Sequence, residues 1–260
     1  MLTNKKYGIG MIMAKSDNMY IRRAKRKRLI KRQIILSIFL IICGVIFVTK
    51  TDTFKIKDIK CTGEVLLTED YIISQTKDLI DKNIFGINKN DIKKSVKGNP
   101  YVKSIEIKRK LPKTLVIEVL EKKGLYYIKD GSSYNIISSE LVLLERLESI
   151  EDKKLIEIRG LVMDNVNLGE KISDNVRLQN LLEEFYKQEE VIESKNEEFS
   201  IEAIDVNDLS KIKVYLGDIE IKLGSDENVR GKMSNAINTY KSGLVTEYID
   251  TSFNGTPDFK

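Results

Sequence analysis

Between Gln33 and Thr49 the chain carries no charge, and Ile34, Ile35, Leu36, Ile38, Phe39, Leu40, Ile41, Ile42, Val45, Ile46, Phe47 and Val48 are large and apolar. As an α-helix this run spans about 25 Å, a little short of a hydrocarbon core of roughly 30 Å. Leu29, Ile30 and the aliphatic stems of Lys31, Arg32 and Lys50 supply the remainder. At about −0.3 to −0.6 kcal/mol for each such residue near the bilayer centre, insertion is favoured by up to roughly 4 to 7 kcal/mol. A buried core helix needs a polar stripe, and none exists here. A cleaved signal ends in small residues at A-x-A spacing, whereas this run ends Phe47-Val48-Thr49-Lys50. Leu40-Ile41-Ile42-Cys43 has Ile42 where a lipoprotein cleavage site needs a small residue. A single transmembrane helix over residues 33–50 is expected.

Charge orients it. Lys5, Lys6, Lys15, Arg22, Arg23, Lys25, Arg26, Lys27, Arg28, Lys31 and Arg32 stand against one acid, Asp17, which gives residues 1–32 a net charge of 11 − 1 = +10. Subtracted from the chain's +5, this leaves −5 for residues 33–260, a mildly acidic protein with a basic arm. The positive flank places residues 1–32 in the cytoplasm and residues 51–260 outside. The stretch Arg22 to Arg32 lacks interleaved aromatics and lies beside the membrane, so it reads as a topology signal resting on headgroups and not as a nucleic-acid site.

Little in the chain suggests catalysis. Histidine is absent, which removes the Ser-His and Cys-His nucleophile pairs and most zinc sites. Of the two cysteines, Cys43 lies in the apolar run and cannot reach Cys61 in a folded domain, so no internal disulfide is expected. Glu183-Glu184, Glu189-Glu190 and Glu197-Glu198 raise the possibility of a paired-acid hydrolase, but on a helix they fall on the polar face opposite the leucines, as a solvated charge run does. Asp250 has no second acid that can be set beside it, and no phosphate-binding glycine loop or metal-spaced cluster occurs. No catalytic, cofactor-binding or metal residue is expected, and the chain reads as a non-enzyme.

Beyond the membrane run two modules can be distinguished. Phe54 to Cys61 reads as a strand whose apolar parity changes between Ile56 and Ile59, so either a bulge intervenes or the strand starts late. Thr68 can cap a helix with Glu69 and Asp70 in its first turn and Ile72, Thr76, Leu79 and Ile80 on its face. Asn88 can cap a second, short helix carrying Ile92 and Val96. Gly98, in a left-handed conformation, and Pro100 stop it. Ile105 and Ile107, then Leu115, Ile117 and Val119, alternate with polar residues on either side of Leu111-Pro112-Lys113, which gives two strands, each with one buried face. The order is β-α-α-β-β.

The stretch Gly98 to Glu121, GNPYVKSIEIKRKLPKTLVIEVLE, resembles the second half of the POTRA domain in the bacterial cell-division proteins FtsQ and DivIB. Ile59-Lys60-Cys61-Thr62-Gly63 is similar to that family's first strand and its following glycine, with Cys61 and Glu64 departing from the commoner residues. Asn83-Ile84-Phe85 and Ile87-Asn88 look like the segment between the family's helices.

The second module is strand-rich. Leu125 to Ile128 and Tyr134 to Ile137 flank a hairpin loop over residues 129–133, and Ile212 to Leu216 and Ile219 to Leu223 alternate around the two-residue turn Gly217-Asp218. One helix carries Leu178, Leu181, Leu182, Phe185, Tyr186 and Ile192, and another carries Val229, Met233, Ile237 and Tyr240. A last strand, about Leu244 to Phe253, directs Val245, Ile249 and Phe253 to one face and Tyr248 to the other. Ile158-Arg159-Gly160, Ile221-Lys222-Leu223-Gly224, the helix through Lys232 and Tyr248 to Phe253 are similar, in order, to pieces of the β domain that follows POTRA in the family.

The expected fold is therefore α+β: a basic tail (1–32), a transmembrane helix (33–50), a POTRA domain (52–122), a strand-rich β domain with two helices (123–254) and a C-terminal tail (255–260). The resemblance implies a non-enzymatic type II scaffold of the division machinery at the septum. It further implies FtsL-like and FtsB/DivIC-like membrane partners and a regulatory part in septal peptidoglycan synthesis. An extended partner segment adding to the edge of the last strand would use Thr246, Tyr248, Ile249 and Phe253. The competing class is an extracytoplasmic peptidoglycan-binding or peptidoglycan-processing protein in which the POTRA unit only positions substrate.

Overall fold

A computed structural model of the protein describes residues 5–64, 68–151, 153–163, 165–195, 197, 199–253 and 255–260, with side chains described from residue 25 onward except that of Glu64. The side chains of Lys5, Lys6, Lys15, Asp17, Arg22, Arg23 and Glu64 lie outside that description. So do Glu198 and Asn254, the expected end of the second module. Two compact units form, one from Met1–Ile59, Leu79–Ile87 and Arg109–Leu115, the other from Lys60–Asp78, Asn88–Lys108 and Val116–Lys260.

In the first unit helix α1 (Lys5–Lys50) runs unbroken, and its stretch Lys25–Lys50 is long and apolar enough to cross a membrane. Its large apolar side chains from Leu29 to Phe47 are exposed, as a helix facing lipid requires. The helix stops because its last carbonyls find other donors. Thr51 Oγ1 donates to the Phe47 carbonyl at 2.7 Å, and Asn83 Nδ2 donates to the Val48 carbonyl at 2.7 Å. A 3-10 turn, Asp52–Phe54, follows directly.

Strand β1 (Asp58–Glu64) starts late, which accounts for the parity change after Ile56. Helices α2 (Glu69–Thr76) and α3 (Lys89–Val96) come next, then strands β2 (Val102–Lys110) and β3 (Thr114–Glu121), in a sheet of order β1-β3-β2. The fold is α+β with the predicted β-α-α-β-β order. Val102, Ile105 and Ile107 on β2 and Leu115, Ile117 and Val119 on β3 are buried, with Ser104, Glu106 and Lys108 exposed between and beside them on β2 and Thr114, Val116 and Glu118 half-buried on β3. Gly63 is required where it stands: its φ is +102°, and a Cβ there would lie 2.2 Å from the Val119 carbonyl oxygen.

Three local expectations are corrected. Thr68 stands at the start of α2 but does not cap it. The residue is buried in a helical conformation, and both its backbone N–H and its hydroxyl donate to Glu121 Oε1, at 2.8 and 2.7 Å. Helix α2 ends at Thr76 and passes into a 3-10 turn, Lys77–Leu79, so Ile80 is exposed instead of completing a buried face. Gly98 is not left-handed, for α3 unwinds through the bonds Gly98 N–H to Ser95 O and Asn99 N–H to Val96 O. Space is what calls for a glycine there. A Cβ at Gly98 would lie 2.9 Å from the Tyr71 hydroxyl, which donates to the Ser95 carbonyl at 3.1 Å. Asn88, by contrast, caps α3 as expected, accepting from the Asn90 N–H at 3.0 Å.

The β domain lies within the second unit. Its strands are β4 (Gly124–Asp130), β5 (Ser133–Ser138), β6 (Leu143–Leu147), β7 (Ile156–Arg159), β8 (Ala203–Asp205), β9 (Ile212–Leu216), β10 (Ile219–Gly224), β11 (Tyr248–Asp250) and β12 (Asp258–Phe259). They form one sheet of order β12-β11-β10-β9-β8-β7-β4-β5-β6. Both predicted hairpins are present and antiparallel. Helix α4 (Val176–Ser194), capped by Asn175, buries Leu178, Leu181, Leu182, Phe185 and Ile192, and α5 (Val229–Tyr240) buries Val229, Met233 and Ala236. These share one core with Tyr126, Ile137, Ile204, Val214, Ile221 and Ile249. Tyr126 satisfies its buried hydroxyl by donating to the Leu182 carbonyl of α4.

Gly98→Ala is expected to cost about 1 kcal/mol by pushing the Tyr71 hydroxyl off the Ser95 carbonyl, and little in a Tyr71→Phe background where that hydrogen bond is already gone. Denaturant midpoints of the solubilised chain in the two backgrounds check this; an equal cost in both would exclude the Tyr71 contact as the cause.

Candidate partner-binding edge

The last strand is far shorter than Leu244 to Phe253. Only Tyr248–Asp250 pairs with β10, in parallel, with Glu220 opposite Tyr248, Ile221 opposite Ile249 and Lys222 opposite Asp250. Lys241-Ser242-Gly243 closes α5 in turns, and Leu244 is exposed. The Thr251 N–H makes the last bond of the ladder, to the Lys222 carbonyl at 3.0 Å, and the chain then turns away. Asp250 Oδ1 accepts from the Ser252 N–H at 2.9 Å and from its hydroxyl at 2.6 Å, an Asx-type turn that competes with continued pairing.

The four residues expected at a binding edge therefore separate. Ile249 is fully buried and belongs to the core. Tyr248 is half-buried, with the Lys222 ammonium 3.8 Å from its ring centroid. Thr246 is exposed and precedes the strand. Phe253 does not share the buried face of Ile249; at 49% exposure it lies on the surface. The structure brings Tyr248 and Ile249 together on β11 and leaves Thr246 and Phe253 outside it.

The outer edge of β11 is also occupied. The chain returns through Gly255 to Pro257 and lays β12 antiparallel against it, with Ile249 opposite Phe259 and Asp250 opposite Asp258. The Lys260 backbone oxygen accepts from the N–H groups of Thr246, Glu247 and Tyr248 at 2.8, 2.6 and 3.3 Å, and the Lys260 N–H donates to the Tyr248 carbonyl at 3.1 Å. Lys260 Nζ pairs with Glu247 at 2.9 Å. Sequence periodicity misses this strand because two residues have no period, and only the turn residues Gly255 and Pro257 hint that the chain reverses.

Among the described residues no group of three or more His, Cys, Asp or Glu side chains is placed to hold a metal ion. A groove of about 360 Å³ between β3 and α4 carries its charges largely in pairs, Lys103 with Glu140 at 2.7 Å and Lys123 with Glu190 at 3.2 Å. One acid departs from expectation. Glu189 is not on a solvated face but 7% exposed, and its Oε2 accepts a long 3.4 Å bond from the Ile201 N–H. Burial pushes its pKa above the ordinary 4.5, and that N–H offsets part of the rise.

The sequence model for the POTRA domain, FtsQ-type, matches residues 54–122. The cell division protein DivIB of Clostridium acetobutylicum is 31% identical over 211 residues, 80% of this chain and 83% of that protein. The chain belongs to the DivIB/FtsQ family of cell division proteins. DivIB of Clostridium botulinum strain Hall is 29% identical over 249 residues, 94% of this chain and 96% of that protein. FtsQ of Koribacter versatilis is 27% identical over 150 residues, 56% of this chain and 42% of that protein. Similarity to family members thus extends well beyond the POTRA module.

Because the folded-state pKa of Glu189 is raised, the fold prefers its neutral form: that preference is fully present below about pH 4.5 and is lost as pH rises through the raised value. Glu189→Gln is expected to be more stable than the parent at neutral pH. The gap should close as pH falls below the ordinary carboxylate range. Unfolding midpoints of both proteins between pH 4 and pH 8 test this, and a gap that does not change with pH contradicts it.

Proposed function

We propose that the protein is a non-enzymatic, single-pass type II scaffold of the bacterial division machinery, with residues 1–32 cytoplasmic and residues 51–260 outside. It acts at the septum, recruiting or stabilising FtsL-like and FtsB/DivIC-like membrane partners and so regulating septal peptidoglycan synthesis. The domain limits that accompany this reading are 33–50 for the span, 52–122 for POTRA, 123–254 for the β domain and 255–260 for the tail. Its main support is the similarity, along most of the chain, to proteins named DivIB. The basic flank of the apolar helix supports the orientation.

The mechanism proposed is strand addition at β11. An extended partner segment would replace β12, which holds on by two residue pairs and the Lys260 backbone, and would run past Thr246, Tyr248 and Phe253, with Ile249 keeping β11 in place from the core side. Net hydrogen bonds of this kind contribute about 0.5 to 1.5 kcal/mol each, so a segment that re-forms the few bonds made by β12 and adds side-chain contacts beside Tyr248 can take its place.

With the full chain in lipid nanodiscs and a fluorescent peptide from a partner's extracytoplasmic segment, removal of residues 255–260 should tighten binding by roughly tenfold, the scale of one or two hydrogen bonds no longer broken. Tyr248→Lys, which sets a second cation beside Lys222, should weaken binding by about tenfold or more. Unchanged affinity in both variants rules out addition at β11. Turnover of peptidoglycan by the same reconstituted chain would overturn the scaffold reading itself.

A further inference from the structure

Helix α1 is joined to the folded part of its unit without a flexible linker. Asn83 Nδ2 donates to the Val48 carbonyl at 2.7 Å and to the Thr49 carbonyl at 3.3 Å, so the loop 79–87 is tied to the last turn of the helix. Phe47 on the helix meets Phe54 edge-on at 6.3 Å between ring centroids, and Phe54 meets Phe85 at 5.5 Å. The Ile84 N–H donates to the Phe54 carbonyl at 2.8 Å, the Ile56 N–H to the Lys82 carbonyl at 2.9 Å, and the Lys57 N–H to the Lys113 carbonyl at 2.9 Å. Arg109 Nε donates to the Ile84 carbonyl at 2.7 Å, which ties the 109–115 segment to the same loop.

These bonds hold the loops close to the end of the apolar helix. The headgroup layer adds roughly 5 to 7 Å on each side of the hydrocarbon core. Phe85 stands only two ring contacts from Phe47, near the end of the apolar run, so the loop that carries it lies within reach of that layer. What the loops present there is a mixture of apolar and basic side chains. Phe85 is 43% and Leu111 56% exposed, and Lys50, Lys82, Lys110 and Lys113 are exposed with no ion pair among the described residues. Lys55 and Lys57 are neutralised by Asp52 and Asp81.

The charge distribution follows the same line. Residues 50–59, 79–87 and 109–115 contain seven Lys and Arg and three Asp, a net 7 − 3 = +4. Residues 33–49 are uncharged, so residues 50–260 carry −5, and those outside the three segments carry −5 − 4 = −9. The net charge of these three segments is thus opposite to that of the rest of residues 50–260, and it lies next to the end of the span, where anionic headgroups attract lysines and exposed apolar side chains can bury at the acyl boundary.

We propose that the surface formed by Phe85, Leu111, Lys50, Lys82, Lys110 and Lys113 is a bilayer-docking face that binds anionic phospholipid headgroups and seats the base of the POTRA module on the membrane. The proposal rests on the reading that α1 spans the bilayer.

Backbone hydrogen exchange of the full chain in nanodiscs tests it. Discs of phosphatidylcholine alone are compared with discs containing about one-third phosphatidylglycerol. In the anionic discs exchange at 79–87 and 109–113 should slow by about fivefold or more, the effect of one lysine engaged at a charged surface. In Lys82→Glu/Lys110→Glu/Lys113→Glu the difference between the discs should vanish, while protection of β2 and β3 shows that the module remains folded. Equal exchange in both kinds of disc overturns the proposal, as does slowing that survives the triple charge reversal. Slowing produced equally by soluble polyphosphate in neutral discs assigns the face to dissolved polyanions and overturns the bilayer. Protection of residues 33–49 reports the spanning helix separately, so loss of the docking effect with those residues protected counts against docking alone.

Discussion

A helix that ends at a membrane surface leaves carbonyls without intrahelical donors, and in this chain one donor comes from a residue far along the sequence. Asn83 reaches the Val48 carbonyl from the loop that follows α2, so the end of the apolar helix and the start of the folded module share a hydrogen bond. Thr51 supplies the Phe47 carbonyl from the other side of the break. Phe47, Phe54 and Phe85 stand in edge contact and add packing to these bonds at the exit from the helix. The charge and apolar exposure of the 79–87 and 109–115 segments lie next to the end of the apolar helix because this junction is short and bonded.

The large sheet is held very unevenly. Its middle strands place Tyr126, Ile158, Ile204, Val214 and Ile221 in a core closed by α4 and α5, whereas β11 contributes only three residues and β12 only two. Local opening draws on the free energy of the contacts actually broken, so β12 can leave without disturbing α4, α5 or the central ladder. An edge held by a short strand of the same chain is protected against chance pairing but remains available to a longer competitor.

Long-period features were legible in the sequence, and features made by a single contact were not. The β-α-α-β-β order, both hairpins and the two β-domain helices follow from alternation in Ile105 to Val119 and Ile212 to Leu223 and from the 3.6-residue spacing of Leu178 to Ile192. Thr68, Gly98 and Glu189 show the other case. Each occupies a position where residue type suggests a local role, as cap, left-handed stop and solvated acid, and at each a tertiary neighbour decides instead: Glu121, Tyr71 and the burial of α4. At the candidate edge, Tyr248 and Ile249 were legible as alternating strand residues. The limits of the strand were not, because the Asp250–Ser252 turn and the return of Lys260 outweigh the apolar pattern that Val245 and Phe253 suggest.

Ile249 gives the edge its register. Its side chain is fully buried opposite Ile221, and because strand side chains alternate with a period of two, a slip of one residue would exchange Ile249 for Tyr248 or Asp250 in the core. Either exchange would bury a polar group without the partners it now has: Tyr248 would leave Lys222, and Asp250 would leave Ser252. The N–H and carbonyl groups that β11 turns outward therefore stay in one register whether β12 or another strand reads them. A strand of three residues is too short to select a partner by its length. Pinned by one core side chain, it can still present a fixed sequence of donors and acceptors; such backbone groups are alike for every strand, so any discrimination at this edge has to come from side chains such as Tyr248.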